Sequence, residues 1–250
     1  MTMPLDDRGL LLGDGLFETI LAKNAELMLF DDHVARLRAG CAAMNLPAPD
    51  KAAVRELCEL AIADAGAKPR MAVRLTLTAG SGGRGLDRPD TVEPHVFATA
   101  APAVRPEEPA TLVTSPVRRN EGSPTSWLKT LSYLDNVWAR RMAAPDDALM
   151  LNNGGEICCA TAANIFWVKD GKLYTPSLDC GVLDGVMRRR VMALQPVEEV
   201  RAPRAMLEQS DAVFLTSSLI GVRPVASLDG TPLRSHSMVD RFAAALAAVS

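Results

Sequence analysis

Apolar and polar positions alternate along much of the chain, and the period of the alternation predicts where strands lie. Residues 13–30 predict two short strands around Lys23-Asn24, the second of which ends at Phe30. Further strands are predicted at residues 71–78, 95–101, 111–117, 147–152, 165–168, 172–175 and 211–216. The fifth and sixth of these form a hairpin around Asp170-Gly171, a dipeptide that favours tight turns.

Helical periodicity, with apolar residues three and four positions apart, predicts the remaining elements. The first helix would begin after an N-cap at Asp31 or Asp32 and end before Pro47. The second is expected to stop at Gly66, since glycine adopts the left-handed conformation that ends many helices. Helices are predicted at residues 33–44, 52–65, 133–142, 187–194 and 236–249.

The order of these elements predicts an α+β fold with two lobes. Strands and short helices are interleaved without a regular βαβ repeat. The stretch A-P-A-V-R-P-E-E-P-A, which carries three prolines in ten residues, is the best candidate for a linker. The predicted boundaries are a small α+β lobe over residues 1–102, a linker over 103–112 and a larger lobe over 113–250.

Composition narrows the possible functions. The chain has 250 residues with 48% hydrophobic content, enough for one large core or two modest ones. A net charge of −3 without a basic stripe argues against a nucleic-acid partner. No apolar run approaches the ~20 residues of a membrane span, and the N-terminus lacks the basic start of a signal peptide. We therefore expect a cytoplasmic protein that binds neither membranes nor nucleic acid.

The five cysteines are expected to be reduced thiols without a metal. Their number is odd and their spacing does not match a zinc site. Cys158 and Cys159 are adjacent in an apolar strand pattern, so their side chains are expected to point to opposite faces.

One segment identifies a family resemblance. Residues 155–168, G-E-I-C-C-A-T-A-A-N-I-F-W-V, resemble the strand-turn-strand signature of class IV (fold-type IV) enzymes that use pyridoxal 5'-phosphate (PLP). Gly155, Ile157 and the tail that begins at Asn164 match that signature, and the resemblance extends over roughly residues 10–225. It implies a homodimeric enzyme with a small N-terminal α/β lobe and a larger C-terminal pseudo-barrel lobe, in which Asn164 lines the cofactor site.

The resemblance also implies a lysine that binds PLP covalently and moves protons. Lys129, in S-W-L-K-T-L-S-Y-L-D-N, lies about 30 residues before Gly155 and matches the family's Lys-x-Leu-(Asn/Ser)-x-Leu. The sequence around it predicts the start of a helix. A solvated surface charge is the ordinary interpretation of a lysine, but burial beside Trp127 and Leu128 would lower its pKa, as a nucleophilic amine requires.

Three further segments, in the family's order, resemble its phosphate-binding elements. Residues 33–37 match H-x-x-R-L, whose arginine reaches the phosphate. A glycine turn precedes a predicted helix start, where backbone amides bind anions, and small hydroxyl residues end a predicted strand. The cofactor-binding residues implied in this way are Arg36, Gly185, Val186, Met187, Ser217 and Ser218.

Two segments favour one branch of the family, the 4-amino-4-deoxychorismate lyases of folate synthesis. Thr19 follows Phe17 by two places, as a threonine does in those lyases, and is the second candidate catalytic residue. Arg84, in G-S-G-G-R-G, could bind a substrate carboxylate bidentately, although such a loop taken alone is more typical of a flexible connection. The alternatives are a branched-chain or D-amino-acid aminotransferase, and a PLP-binding protein with weak catalysis. The D-amino-acid enzymes carry an R-x-H motif, and His95 has no arginine two places before it.

Cys159 departs from the family's pattern. Five residues before the asparagine, the family usually has a glutamate that keeps the pyridine nitrogen of PLP protonated. A neutral thiol supplies no charge there, so Cys159 is expected to weaken the cofactor as an electron sink. Glu156 is not expected to replace the missing carboxylate directly, because three residues earlier in a continuous strand it faces the other way. A bulge in the strand would change that. Our hypothesis is that the weakened sink harms lyase chemistry less than transamination.

Overall fold

The computed structural model describes residues 3–250, which divide into two compact units. The first unit runs to Val104 and includes Leu128–Ser132. The second unit comprises Arg105–Trp127 and Tyr133–Ser250. Within the described part of the chain, no helix has both the length and the apolar character needed to cross a membrane.

The first unit is a four-stranded antiparallel sheet with helices, in the strand order β2-β1-β3-β4. Its elements are α1 (Arg8–Leu12), β1 (Gly15–Lys23), β2 (Glu26–Leu27), α2 (Phe30–Ala43), α3 (Lys51–Asp64), β3 (Arg70–Thr78) and β4 (His95–Pro102). Apolar side chains of β1, β3, α2 and α3 form one buried cluster, which includes Leu16, Ile20, Leu37 and Val73. Strand β1 is thus fixed on one face by the core.

The helix α2 begins two residues earlier than an N-cap at Asp31 would allow. Leu29 occupies the N-cap with a φ of +50° and makes no side-chain capping bond, and Phe30 is the first helical residue. Phe30 is buried in the core cluster, so burial of its ring determines the helix start. Asp31 and Asp32 lie instead in the first turn, where their charges suit the helix dipole. The strand predicted over residues 26–30 is therefore shorter in the structure, where β2 covers only Glu26–Leu27.

The segment that carries Lys129 is extended rather than helical, which corrects the prediction. It pairs with β1: Phe17 N donates to Lys129 O at 2.9 Å, and Leu131 N donates to Gly15 O at 3.0 Å. These two bonds explain why residues 128–132 belong to the first unit, although the predicted boundaries placed them in the larger lobe. The helix that follows begins only at Leu134.

The second unit contains the remaining elements. They are β5 (Ala110–Arg119), α4 (Pro124–Trp127), α5 (Leu134–Ala143), β6 (Asp147–Asn152), β7 (Ile157–Ala160), β8 (Asn164–Lys169), β9 (Lys172–Pro176), α6 (Val186–Leu194), β10 (Val197–Val200), α7 (Ala205–Glu208), β11 (Ala212–Ser217), β12 (Gly221–Leu228), β13 (Thr231–Pro232) and α8 (Ser237–Ala245), with 3-10 helices at Leu178–Cys180 and Ala247–Val249. Because β5 begins at Ala110, the predicted linker of residues 103–112 is too long by its last three residues.

The sheet of the second unit closes on itself. Its strand order is β10-β9-β8-β11-β12-β5-β6-β7, and β7 also pairs with β8. Six strands therefore form a ring, which is the pseudo-barrel expected from the family resemblance. The predicted hairpin is present, with Trp167 opposite Tyr174 and Lys169 opposite Lys172. The fold class is confirmed as α+β with a separate sheet in each unit.

Candidate functional site

Lys129 lies against one face of strand β1. Its Nζ is 4.1 Å from the centre of the Phe17 ring, and Arg74 Cζ is 3.9 Å from the same ring. Arg74 is on β3 directly opposite Thr19. Because side chains alternate along a strand, Phe17 and Thr19 share this face. The structure thus brings together the predicted catalytic pair, Lys129 and Thr19, with an arginine that the sequence analysis did not identify.

The amine of Lys129 has an unusually low pKa. Burial disfavours its charged form, and the positive charges of Arg36 and Arg74 act in the same direction, while Glu18 opposes them; the net result lowers the pKa of Lys129 to about 7. Leu128 beside it packs against the core cluster, whereas Trp127 is 43% exposed. The predicted direction of the pKa shift is confirmed. About half of the amine is uncharged near neutral pH, as a nucleophile requires.

Arg36 is held by a buried carboxylate on the other face of β1. Arg36 Nε donates to Glu18 Oε1 at 2.8 Å, and Arg36 Nη2 donates to Glu18 Oε2 at 2.6 Å. His33 Nδ1 lies 2.7 Å from Glu18 Oε2. Burial alone would raise the pKa of Glu18, but Arg36 and His33 outweigh it and lower the pKa to about 2. Glu18 is 1% exposed and stays ionised.

The loop that carries Arg84 is ordered by a second arginine. Arg8 donates to the carbonyls of Leu86 at 2.9 Å and Asp87 at 2.8 Å, and pairs with Asp14 at 3.0 Å. Arg84 itself is exposed. Hydrogen bonds from Arg8 therefore hold the loop in one conformation, so it is more than a flexible connection. The role of Arg84 toward a substrate stays a prediction.

His95 is occupied by a structural contact. Its Nδ1 lies 2.7 Å from Asp7 Oδ2, an oxygen that also accepts from Thr78 Oγ1 at 2.7 Å. Asp7 is fully buried. This arrangement agrees with the absence of an R-x-H motif before His95.

In the second unit, Asn164 lies beside two other predicted cofactor-binding residues, Cys159 and Gly185. It pairs with Cys159 on β7 and with Thr216 on β11. Its Nδ2 donates to the carbonyl of Leu183 at 2.8 Å. A Cβ at Gly185 would overlap Asn164 Oδ1, so only glycine fits there.

These residues fit the phosphate of PLP. Gly185 is the N-cap of α6 and has no side chain to cap the helix, so the first-turn amides of Val186 and Met187 lie at a helix start of the kind that can bind an anion. Thr216 Oγ1 is buried and, among residues 3–250, has no hydrogen-bond partner. An unsatisfied buried hydroxyl is costly without a ligand. Ser217 ends the same strand, and Ser218 follows it in a turn.

Cys159 lies in a strand with a bulge, which corrects the predicted orientation of the two adjacent thiols. Met150 pairs with Cys159 and Leu151 with Ile157, so Cys158 is the extra residue. Both thiols consequently belong to one buried cluster with Cys180, and Cys158 Sγ donates to the carbonyl of Cys180 at 2.9 Å. Burial raises the pKa of the Cys159 thiol, which is therefore neutral at pH 7.

Glu156 does not stand in for the missing carboxylate. Arg201 Nη2 donates to Glu156 Oε2 at 2.8 Å, and Asn152 Nδ2 donates to the same oxygen at 2.7 Å. Hydrogen bonds from Arg201 and Asn152 lower the pKa of Glu156. The carboxylate is thus committed to Arg201 and Asn152. Because the bulge at Cys158 breaks the continuous strand that the prediction assumed, these contacts, and not the alternation of side chains, occupy Glu156.

Three side chains that contact predicted site residues or their neighbours were not identified as site residues by the sequence analysis, namely Phe17, Glu18 and Arg74. Glu18 lies in G-D-G-L-F-E-T-I, residues 13–20, the same segment that contains Thr19. A carboxylate in a strand otherwise apolar around it is a signal for a buried, paired charge. Arg74 carries the same signal in M-A-V-R-L-T-L-T.

Comparison with known proteins agrees with these features. The family model of amino-transferase class IV matches residues 15–228. A D-alanine aminotransferase from Listeria monocytogenes is 30% identical, over 92% of this chain and 83% of the relative. An aminodeoxychorismate lyase from Vibrio harveyi is also 30% identical, over 90% of this chain and 87% of the relative.

A solved structure gives the same result for the fold. The crystal structure of 4-amino-4-deoxychorismate lyase from Pseudomonas aeruginosa is 29% identical and superposes with a TM-score of 0.90, over 98% of this chain and 94% of that one. The match extends through both units, and enzymes of this kind depend on PLP. The protein is an enzyme and belongs to the class IV aminotransferase family.

Proposed function

We propose that the protein is a 4-amino-4-deoxychorismate lyase, which releases pyruvate and 4-aminobenzoate in cytoplasmic folate synthesis. The observation that carries the proposal is the placement of Thr19 on the Phe17 face of β1, the face against which Lys129 Nζ lies. Threonine at this place is the feature that resembles the lyases. Lyases are among both the sequence relatives and the structural neighbours at 29–30% identity.

When bound, PLP would accept the electrons released as the substrate bond breaks. Lys129 is the residue that would hold PLP covalently, and its amine would move the proton at the ring carbon that bears the substrate amine. A pKa of about 7 suits this work, because the amine can both give and take a proton near neutral pH.

The anion-binding residues are proposed to hold the phosphate of PLP. In the first unit this is Arg36, whose guanidinium is fixed by Glu18. In the second unit it is the helix start after Gly185 and the hydroxyl residues at the end of β11. The residues given this role are Arg36, Gly185, Val186, Met187, Ser217 and Ser218.

Thr19 and Arg84 are proposed to orient the substrate, which carries two carboxylates. Arg84 is exposed on a loop that Arg8 holds in shape, so its guanidinium can meet a ligand without a change in the loop. A bidentate contact with a carboxylate is the geometry that arginine favours.

Cys159 supports the lyase over a transaminase. Its neutral thiol would leave the pyridine nitrogen of bound PLP without a carboxylate, and a transaminase depends on the ring as a strong sink. Cleavage to 4-aminobenzoate draws much of its driving force from aromatisation. The second candidate is a D-amino-acid or branched-chain aminotransferase, and the observation that favours it is the 30% identity with D-alanine aminotransferase.

One preparation can separate the two activities. Purified protein is assayed for pyruvate and aminobenzoate from 4-amino-4-deoxychorismate, and beside this for half-reactions with a panel of L- and D-amino donors. We expect lyase turnover to exceed every donor reaction. Strong transamination with negligible pyruvate release would establish the second candidate, and a yellow protein inactive in both assays would indicate a PLP-binding protein with weak catalysis.

The family resemblance also leads us to propose a homodimer. Sedimentation equilibrium of the loaded protein measures the mass directly, and a value near the 26.7 kDa of one chain at micromolar concentration would contradict the proposal.

A further inference from the structure

Glu18 has a position that the proposed chemistry does not by itself explain. Its side chain is 1% exposed, yet both carboxylate oxygens accept hydrogen bonds from Arg36, and one of them also contacts His33. A buried ion pair is seldom the cheapest way to stabilise a fold, because two apolar side chains of similar size often do as well. The pair therefore invites a functional explanation.

The geometry of the pair restricts the guanidinium. Two parallel hydrogen bonds, at 2.8 Å and 2.6 Å, engage the Nε and Nη2 edge of Arg36. A bidentate contact fixes the plane of a guanidinium as well as its position. The edge that carries Nη1 is thereby turned away from Glu18. Arg36 stays 13% exposed along its side chain, whereas Glu18 is buried, so the arginine is the member of the pair that can reach a ligand.

The charges around Lys129 also support a functional role for the pair of Glu18 and Arg36. Arg36 and Arg74 both act as cations on the buried amine of Lys129, and Glu18 is the carboxylate that opposes them. An isolated guanidinium among these cations would be repelled. The carboxylate both neutralises part of that repulsion and supplies the hydrogen bonds that orient Arg36.

We propose that Glu18, supported by His33, is a positioning residue that holds the Arg36 guanidinium oriented for the phosphate group of PLP. The inference rests on the proposed phosphate role of Arg36. Glu18 is not assigned any contact with the cofactor or substrate. It acts through Arg36, and its loss should weaken binding of a phosphorylated ligand while binding of the same ligand without phosphate is preserved.

Two probes without an aldehyde test this separately from the covalent bond to Lys129. The full-length apoprotein, freed of PLP with hydroxylamine, is titrated with pyridoxine 5'-phosphate and with pyridoxine by fluorescence quenching. The quantity of interest is the ratio of the two dissociation constants, which isolates the contribution of the phosphate. A general loss of structure would weaken both probes together and leave the ratio unchanged.

The variants are Glu18→Gln, Glu18→Asp and Arg36→Ala, with Asp14→Asn as the matched control. Asp14 also pairs with two arginines of the first unit, Arg8 and Arg88. Glu18→Gln keeps the size of the side chain and removes its charge. Glu18→Asp keeps the charge but shortens the reach to Arg36, and it decides the matter if the glutamine variant does not fold.

We expect Glu18→Gln and Glu18→Asp each to lower the pyridoxine phosphate preference about tenfold, the scale of one hydrogen bond between charged groups. Asp14→Asn should leave the preference at the wild-type value. An unchanged or increased preference in both Glu18 variants would overturn the inference. If Glu18 only cancelled positive charge, it would weaken phosphate binding in the wild type, and its removal would strengthen that binding. If Arg36→Ala itself has no effect on the ratio, the proposed phosphate role of Arg36 is wrong, and that failure is distinct from the first.

Discussion

Burial acts on one ionisable group in the segment around Lys129 and on another in strand β7, with opposite effects on reactivity. Burial disfavours a charge in both places. It lowers the pKa of the Lys129 amine to about 7 and raises the pKa of the Cys159 thiol. The neutral amine is the nucleophilic form, whereas the neutral thiol is the unreactive one. Desolvation thus makes the Lys129 amine more nucleophilic and the Cys159 thiol less reactive.

The surroundings reinforce the contrast. Lys129 lies near two arginines that further disfavour its positive charge. Cys159 lies among alanine, methionine and valine side chains and two other buried thiols. The first region follows the family's pattern and the second departs from it at the position of the usual glutamate. Under the proposed function, this enzyme keeps the nucleophile of its family and gives up part of the electron sink.

The largest expected effect comes from removing the amine. Lys129→Ala should abolish the visible absorption band of bound PLP and reduce turnover by about 10²–10⁴-fold, the usual contribution of a positioned acid–base group. Absorption spectra of the purified variant and the wild type provide the measurement. Lys172→Ala is the control, because that lysine is 64% exposed and pairs with Glu198 on the surface. A band that persists in the Lys129 variant would refute the assignment.

The pH dependence of cofactor binding should report the lowered pKa of Lys129. Below about pH 7 the amine is protonated, so the rate at which apoprotein and PLP form the visible band should fall about tenfold per pH unit. Above that pH the rate should level off. Stopped-flow measurements between pH 5 and 9 test this, with N-acetyl-lysine as the reference amine. A rate that still rises at pH 9, as for the reference, would show that the pKa is not lowered.

Much of the fold could be predicted because local pattern and tertiary structure agree there. Strand β3, helix α3 and the hairpin of β8 and β9 lie where their periodicity placed them. Asp50 caps α3 through bonds to Ala52 and Ala53, at the expected boundary. In these elements a residue and its immediate neighbours carry enough information to decide the backbone.

The rest depended on partners far away in sequence. The Lys129 segment is extended because it pairs with β1, more than a hundred residues earlier. The bulge at Cys158 arises from the register between β6 and β7. Glu18 was overlooked because its partners lie on α2, and only the folded chain brings His33 and Arg36 to it. No local periodicity contains these pairings.

Restoring the carboxylate on β7 should produce a moderate effect and would reduce the contrast between the regions. In Cys159→Glu, we expect transamination relative to pyruvate release to increase about tenfold, which corresponds to ~1.4 kcal/mol in the barriers. The larger side chain should also cost about 1–3 kcal/mol of stability in a packed site. Paired half-reaction assays and thermal unfolding measure the two consequences.

The matched control for this substitution is Cys159→Gln, which adds the same bulk without the charge. It should show the stability cost and leave the ratio of activities at the wild-type value. Equal ratios in the two variants would mean that the side chain at 159 does not influence the cofactor through its charge, and the explanation for the missing glutamate would then fail.

The smallest effect is expected at Glu156, the carboxylate next to β7 that could replace the missing one. Glu156→Gln removes an exposed ion pair with Arg201, so it should lower Tm by no more than about 2 °C. The visible spectrum and its pH dependence should be unchanged, because the carboxylate is committed to Arg201 and to the buried Asn152. A shift of the visible band in this variant would indicate that Glu156 supplies charge to the cofactor. The difference between the two regions would then lie in which residue provides the carboxylate, and the cofactor would keep its full strength as an electron sink.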